Sequence, residues 1–426
     1  MNSRFTVFAL GCAFGIAGCA QTGFAPPSAS GPAGLSMLPS RLHSSLLGSR
    51  RGRSSSSDPA IYEFQGTPDA ANPEVGIVNI GTTLYGTTYN GGANNEGAVY
   101  SVTTGGSETV MHSFPTGSGD GYNPDATLTV EKGTLYGTTY YGGANGDGTI
   151  FSMTPSGTYK VLYSFGGKQN DCQSPDSTFT YVPSKDALYG VAYRGGANGE
   201  GCIFKYSLGK KSGESVLYSF TGGSNSSTGA SALVFYKGAF YGTTGDGGAN
   251  GLGAVFKVTL TGNESLVYSF QAEPDGAHPA AALVVLGNAL YGTTSAGGQG
   301  GCGGFAGCGV IFKVTPGGKE TVLNRFTDSN STVDASTPQS ALIVDGGLLY
   351  GTAPCTGPQC SSVLYSESPS GGPNNIVFDF ISTASMPTGY PLNAFYGSPL
   401  LLQNTFYGTS ADSARTGSGT VWEVPK

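Results

Sequence analysis

The chain has one tryptophan, three histidines and only 11% charged residues among its 426. So little charge beside 71 glycines argues against a helical enzyme, because glycine costs about 1 kcal/mol in a helix interior. Beyond the N-terminal region histidine is confined to His112 and His278, too few nitrogen ligands for a zinc site. Basic charge is short as well. Residues 59–426 hold 15 basic against 26 acidic side chains, so this part of the chain repels phosphate backbones and nucleic acid is not an expected partner. No segment approaches the roughly 20 consecutive apolar residues of a transmembrane helix. Gly-x-Ser-x-Gly, His-Glu-x-x-His and Walker motifs are absent. Gly298 to Gly303 formally fits Gly-x-Gly-x-x-Gly, but it lies in a glycine-rich loop with no helix to follow.

What is present begins with a leader. Met1 to Arg4 are positively charged, Phe5 to Ile16 are mostly apolar, and Ala17-Gly18-Cys19 are small, the plan of a secretory signal over residues 1–18. Ile16-Ala17-Gly18-Cys19 resembles the lipobox of bacterial lipoproteins, which implies acylation of Cys19 and attachment to the membrane, by analogy the outer membrane or cell surface; an ordinary cleaved signal is the alternative. Residues 19–58, rich in Ser, Pro, Gly and Ala, lack an apolar period and are expected to form a disordered tether.

From residue 59 onward three short signatures recur seven times, in fixed order, at a period of about fifty residues. An aromatic segment, usually Tyr-Ser-Phe, ends at Phe64, Phe114, Phe165, Phe220, Phe270, Phe326 and Phe380. Leu-Tyr-Gly-Thr-Thr and its variants place glycine at Gly86, Gly137, Gly190, Gly242, Gly292, Gly351 and Gly408. A Val-Phe-Lys-Val segment puts Tyr100, Phe151, Phe204, Phe256, Phe312, Leu364 and Trp422 in one equivalent slot. With an apolar run before the second signature, each unit holds four strand candidates of four to six residues, the plan of a propeller blade.

Connection lengths order the strands. A short polar turn such as Thr315 to Lys319 joins Val-Phe-Lys-Val to the next Tyr-Ser-Phe as a hairpin, and the longer stretch Gln271 to Pro279 suits a crossing between blades. The apolar run is then innermost and Tyr-Ser-Phe outermost. The expected fold is all-β, a seven-bladed β-propeller of four-stranded antiparallel blades over 59–426, closed by residues 61–64 pairing with residues 420–424. Glycine weakens a strand interior, so its recurrence in Leu-Tyr-Gly implies close approach of an aromatic ring from a neighbouring strand or blade.

Leu-Tyr-Gly-Thr-Thr, then Gly-Gly-Ala-Asn-Gly-x-Gly, then Val-Phe-Lys-Val, resemble the Gloeobacter/Verrucomicrobia tandem repeat of exported bacterial proteins. The likeness is close in units one to five and departs in six and seven, at Ala353-Pro354-Cys355 and Ser410-Ala411-Asp412. It implies a propeller-like fold and an envelope location, and carries over no reaction and no catalytic residue.

Six cysteines lie beyond the leader, an even number that favours disulfides over metal in an exported chain. Cys302 and Cys308 share one loop, Cys355 and Cys360 another, and Cys172 and Cys202 should reach one face. The glycine-rich loops and the crossings should share one rim, where Asp120, Asn123, Asp125, Asn145, Asp147, Asn198, Glu200, Asp246, Asn250 and Asp275 gather. A ring of amides and carboxylates suits a sugar or calcium; the same residues also serve as turn formers. The expectation is a non-catalytic binding or scaffold module for a glycan or protein partner, without metal or cofactor unless calcium. An envelope polysaccharide lyase or hydrolase with carboxylates at the channel mouth, and a purely structural protein, are the alternatives.

Overall fold

The computed structural model describes residues 59–117, 119–223, 231–271, 273–279, 281–299, 301–302, 305–326, 337–354, 362–380, 395–411 and 416–426. The leader, Cys19, the tether, Cys355 and Cys360 lie outside the described residues, as does the side chain of Cys302.

Seven antiparallel sheets follow one another along the chain, and each is a blade. Blade four is representative, with strands Val234–Tyr236, Ala239–Thr244, Ala254–Thr259 and Glu264–Ser269 from the inside outward. The innermost strands of neighbouring blades touch around the axis. Blade seven has three strands from the C-terminal end and takes its outermost one from the start of the domain. Ala60–Glu63 pairs with Thr420–Pro425, setting Ala60 against Trp422 and Glu63 against Thr420. The expected closure is therefore present, within a residue of the anticipated ends.

Each glycine of the second strand faces the large ring of the third strand across the ladder, as Gly242 faces Phe256. A β-carbon built at Gly242 would lie 2.6 Å from that ring, and at Gly137 and Gly408 it would lie 2.4 and 2.1 Å from Phe151 and Trp422. In blade six the partner of Gly351 is Tyr365, one residue beyond the Leu364 expected from the likeness of Val363-Leu364 to Val-Phe. Tyr365 follows Gly351 at the same interval at which Phe256 follows Gly242, so the register of this blade is the common one.

The same ring receives a second aromatic from the preceding blade. Phe64, Phe114, Phe165, Phe220, Phe270, Phe326 and Phe380 meet Tyr100, Phe151, Phe204, Phe256, Phe312, Tyr365 and Trp422 edge to face, at centroid distances of 4.9 to 5.8 Å. Both members of every pair are buried. Each contact thus joins two blades, and contributes about 0.5–1.5 kcal/mol beyond the area it removes from water.

The innermost strands are three residues long, as in Val284–Leu286, shorter than the four to six expected. The residues just before them leave the ladder to line the axis, and in four places the threonine after Leu-Tyr-Gly holds them there. Thr87, Thr243, Thr293 and Thr409 donate their hydroxyls to the carbonyls of Ala126, Ala281, Ser340 and Val75 in the next blade.

A Gly242→Val change is expected to destabilise the fold by about 1–3 kcal/mol through overpacking against Phe256, and Phe270→Ala by about 3–5 kcal/mol. Tyr100 buries a hydroxyl without a partner, so Tyr100→Phe should cost nothing or stabilise by about 1 kcal/mol. Denaturant titration of the three variants reads all these differences, and an unchanged midpoint for Gly242→Val would reject the packing account.

Candidate functional site

One face of the ring is built from the crossings and the glycine-rich loops together. Gly121–Tyr122 of a crossing pairs with Tyr141–Gly142 of the loop in the blade it enters, and Ala70–Ala71 and Gly276–Ala277 pair likewise. The residue that follows such a pair bonds back to the loop of the previous blade: the amides of Asn72, Asn123, Ser174, His278 and Thr337 donate to the carbonyls of Ser418, Glu96, Asp147, Leu252 and Cys308. These five residues have φ between 51° and 57°. A proline follows each, and in all five the α-carbon of the loop's last glycine lies so close to that proline that a β-carbon there would come within 2.4–2.9 Å of its ring.

Cys172 and Cys202 form a disulfide with α-carbons 5.9 Å apart, pinning the crossing into blade three against that blade's third strand, as the sequence implied. Cys308 is also disulfide-bonded. The loop closed by Cys172 and Cys202 corresponds to about 3–4 kcal/mol of chain entropy, so Cys202→Ser should lower the unfolding free energy by up to that amount in denaturant titration.

The candidate rim residues take up distinct positions. Asn145, Asn198 and Asn250 donate Nδ2 to the carbonyls of Phe165, Phe220 and Phe270 at 2.8–2.9 Å, bracing the outermost strands. Asp275 accepts the Tyr268 hydroxyl and the amides of Gln271 and Gly276. Asp120 does the equivalent with Tyr159 and His112, whose rings stack at 3.9 Å. Asn123 donates to the Tyr89 carbonyl, and Asp147 accepts from Gln173. Glu200 bridges to Gly195, and Asp246, largely exposed, lies 3.4 Å from His278.

Asp125 alone of the ten lines the axial cavity. This space of about 260 Å³ lies where the crossings turn into the innermost strands, and every blade contributes to its wall. Blades one, two and three present Glu74, Asp125 and Asp176 at one equivalent position, directly after Pro73, Pro124 and Pro175. Farther round the wall is neutral, with Ser231, Ala232, Ala281, Ala282 and Gln339, and Tyr396 of blade seven completes it beside Glu74. Glu74 and Asp176 were not among the expected site residues. The signal for them was the recurring pair of proline and acid before the apolar run.

Burial, reinforced by Glu74, pushes Asp125 up to about 7. Asp176 is raised well above the usual carboxylate range by burial and by Asp125, and its Oδ1 is sealed from solvent without a hydrogen bond. Tyr89 and Tyr140, nearby, are also raised by burial. A second set of raised carboxyls lies between blades on the outer side: Glu108 and Glu320 reach about 7 through burial and the neighbouring Asp69 and Asp275, and Glu367 does so through burial.

The sign of the pH dependence follows. A carboxyl whose folded pKa exceeds its unfolded value favours folding below that unfolded value, near 4, and loses the contribution as pH rises through about 7. Thermal midpoints are therefore expected to fall between pH 5 and pH 8, and to fall less in Glu108→Gln. A midpoint that climbs across this window in both proteins would contradict the assignment.

The fold has counterparts among solved structures. An oligogalacturonate lyase in complex with manganese is similar over 84% of this chain and 89% of its own, with 12% identity and a TM-score of 0.52. The oligogalacturonate lyase of Vibrio parahaemolyticus matches over the same shares with 12% identity and a TM-score of 0.51. At this identity the likeness concerns the fold. Comparison with curated proteins finds no sequence match. The model of the Gloeobacter/Verrucomicrobia repeat matches residues 53–237 and 187–422. Such a repeat and the Cys172–Cys202 bridge together suggest an exported protein. Spanning nearly all of the propeller, the match places this chain in the Gloeobacter/Verrucomicrobia repeat family.

Proposed function

We propose that the protein is an envelope binding module, held at the membrane through an acylated Cys19, that takes a glycan into the axial cavity. One observation carries the reading: the cavity unites hydrogen-bonding side chains from three consecutive blades with an exposed aromatic ring, Tyr396, at 41% accessibility. Carboxylates accept hydrogen bonds from sugar hydroxyls, and an aromatic face covers the apolar side of a pyranose ring, so the two together suit a saccharide unit. Five of the seven wall segments are tied to the blade before them by threonine or backbone hydrogen bonds, which holds the wall in place.

A second reading, a glycan-cleaving enzyme, draws on the pair Asp125 and Asp176. Two carboxyls in one cavity, both raised by burial, are the kind of pair that general acid and base catalysis uses, and two of the similar solved structures are oligogalacturonate lyases.

A glycan array with the purified propeller, followed by product analysis on every hit, separates the readings. Binding without turnover is the expected result; turnover supports the enzyme, and silence in both supports a structural role. Mass analysis of the mature N-terminus is expected to find Cys19 acylated, and an unmodified N-terminus would remove the anchor from the proposal.

A further inference from the structure

We infer that the saccharide taken up by the axial cavity carries a positive charge: an amino sugar with a free ammonium, seated against Asp176, Asp125 and Glu74. This rests on the glycan-binding reading and names its ligand class. Asp176 lines the cavity, yet its Oδ1 is sealed from solvent and receives no hydrogen bond. An ionised carboxylate so placed is costly unless a cation or a donor offsets it. The described lining contains no lysine, arginine or histidine. The fold therefore leaves the charge of Asp176 without a basic partner on the cavity wall, and a cation seated in the cavity offsets that charge through space while Oδ1 itself stays covered.

Two observations choose the kind of cation. Among the described residues no three acidic, cysteine or histidine side chains converge closely enough to hold a metal ion. An ammonium on a sugar ring suits the more open arrangement, since its three donors point in different directions and its ring supplies further hydroxyls. Tyr396 stands next to the acidic side of the wall, positioned for the face of such a ring and for its charge. A polyuronate is excluded by the same charges that favour an amine, so the ligand differs in sign from that of the oligogalacturonate lyases.

Titration calorimetry of the purified full-length protein at pH 8 with a glucosamine tetramer, its N-acetylated counterpart, oligogalacturonate, calcium and manganese tests the inference. The glucosamine tetramer is expected to bind at least tenfold more tightly than the N-acetylated form, and oligogalacturonate not at all. Binding should weaken toward pH 5 as Asp125, pushed up to about 7, takes up its proton, with Asp176, Glu74, Tyr89, Tyr140 and Tyr396 as the other titratable groups around it. Asp176→Asn should lose at least tenfold in affinity while its thermal midpoint stays level or rises, which separates lost recognition from misfolding; Asp125→Asn provides the second variant. Equal or tighter binding of the N-acetylated tetramer would overturn the charge inference and leave the glycan reading intact. Binding of oligogalacturonate or of metal alone would also overturn it, and absence of all binding would remove both.

Discussion

The ring depends on one repeated contact: a phenylalanine from the outermost strand of one blade set edge-on against the large ring of the next blade, which lies over a glycine. Phe270, Phe312 and Gly292 form one such set. The glycine lets the ring lie flat on its own sheet, and the flat ring then presents its face and edge to the neighbour. Removing any of the three disturbs two blades, because the contact is both the core of one and the joint to the other. Closed packing of this kind tolerates neither added volume nor a void.

Because the aromatic joints carry the assembly, the loop face is free to be made of small and polar residues. Much of its polarity is nevertheless committed to structure. Asn250 braces a strand end, and Asp275 ties a tyrosine and two amides together. Asp176 differs in kind, since its environment raises the cost of its charge without supplying a partner on the cavity wall. A group held in that condition is a cost to the free protein and an opportunity for a ligand.

Legibility in the sequence varied with the length scale of the interaction. Gly242 and Phe256 are legible because both recur at a fixed period and each makes physical sense only beside the other. Closure by Ala60–Glu63 is legible because a unit that begins with an outermost strand and ends with a third strand has one complete sheet to form. The slot was assigned to Leu364 because Val363-Leu364 mimics Val-Phe locally, although Tyr365 stands at the common interval from its glycine and is the residue that lies over Gly351. Glu74 and Asp176 escaped notice because an acid after proline reads locally as turn chemistry. Asp120 and Asp275 drew notice for the same local reason and lie in bracing networks.

The sequence by itself determined the blade count, the strand order and the closing pair, because each follows from periodicity or connection length that the linear order already contains; it offered Cys172 and Cys202 as a candidate pair, and the structure joins them. Tertiary structure alone decided which polar residues meet. Residues 74, 125 and 176 are about fifty apart in the chain, and they come together only because three successive blades bring one equivalent position to a common axis. A group's solvent exposure and its neighbours belong to that assembly, so the chemistry of the cavity could not be read before the ring was closed.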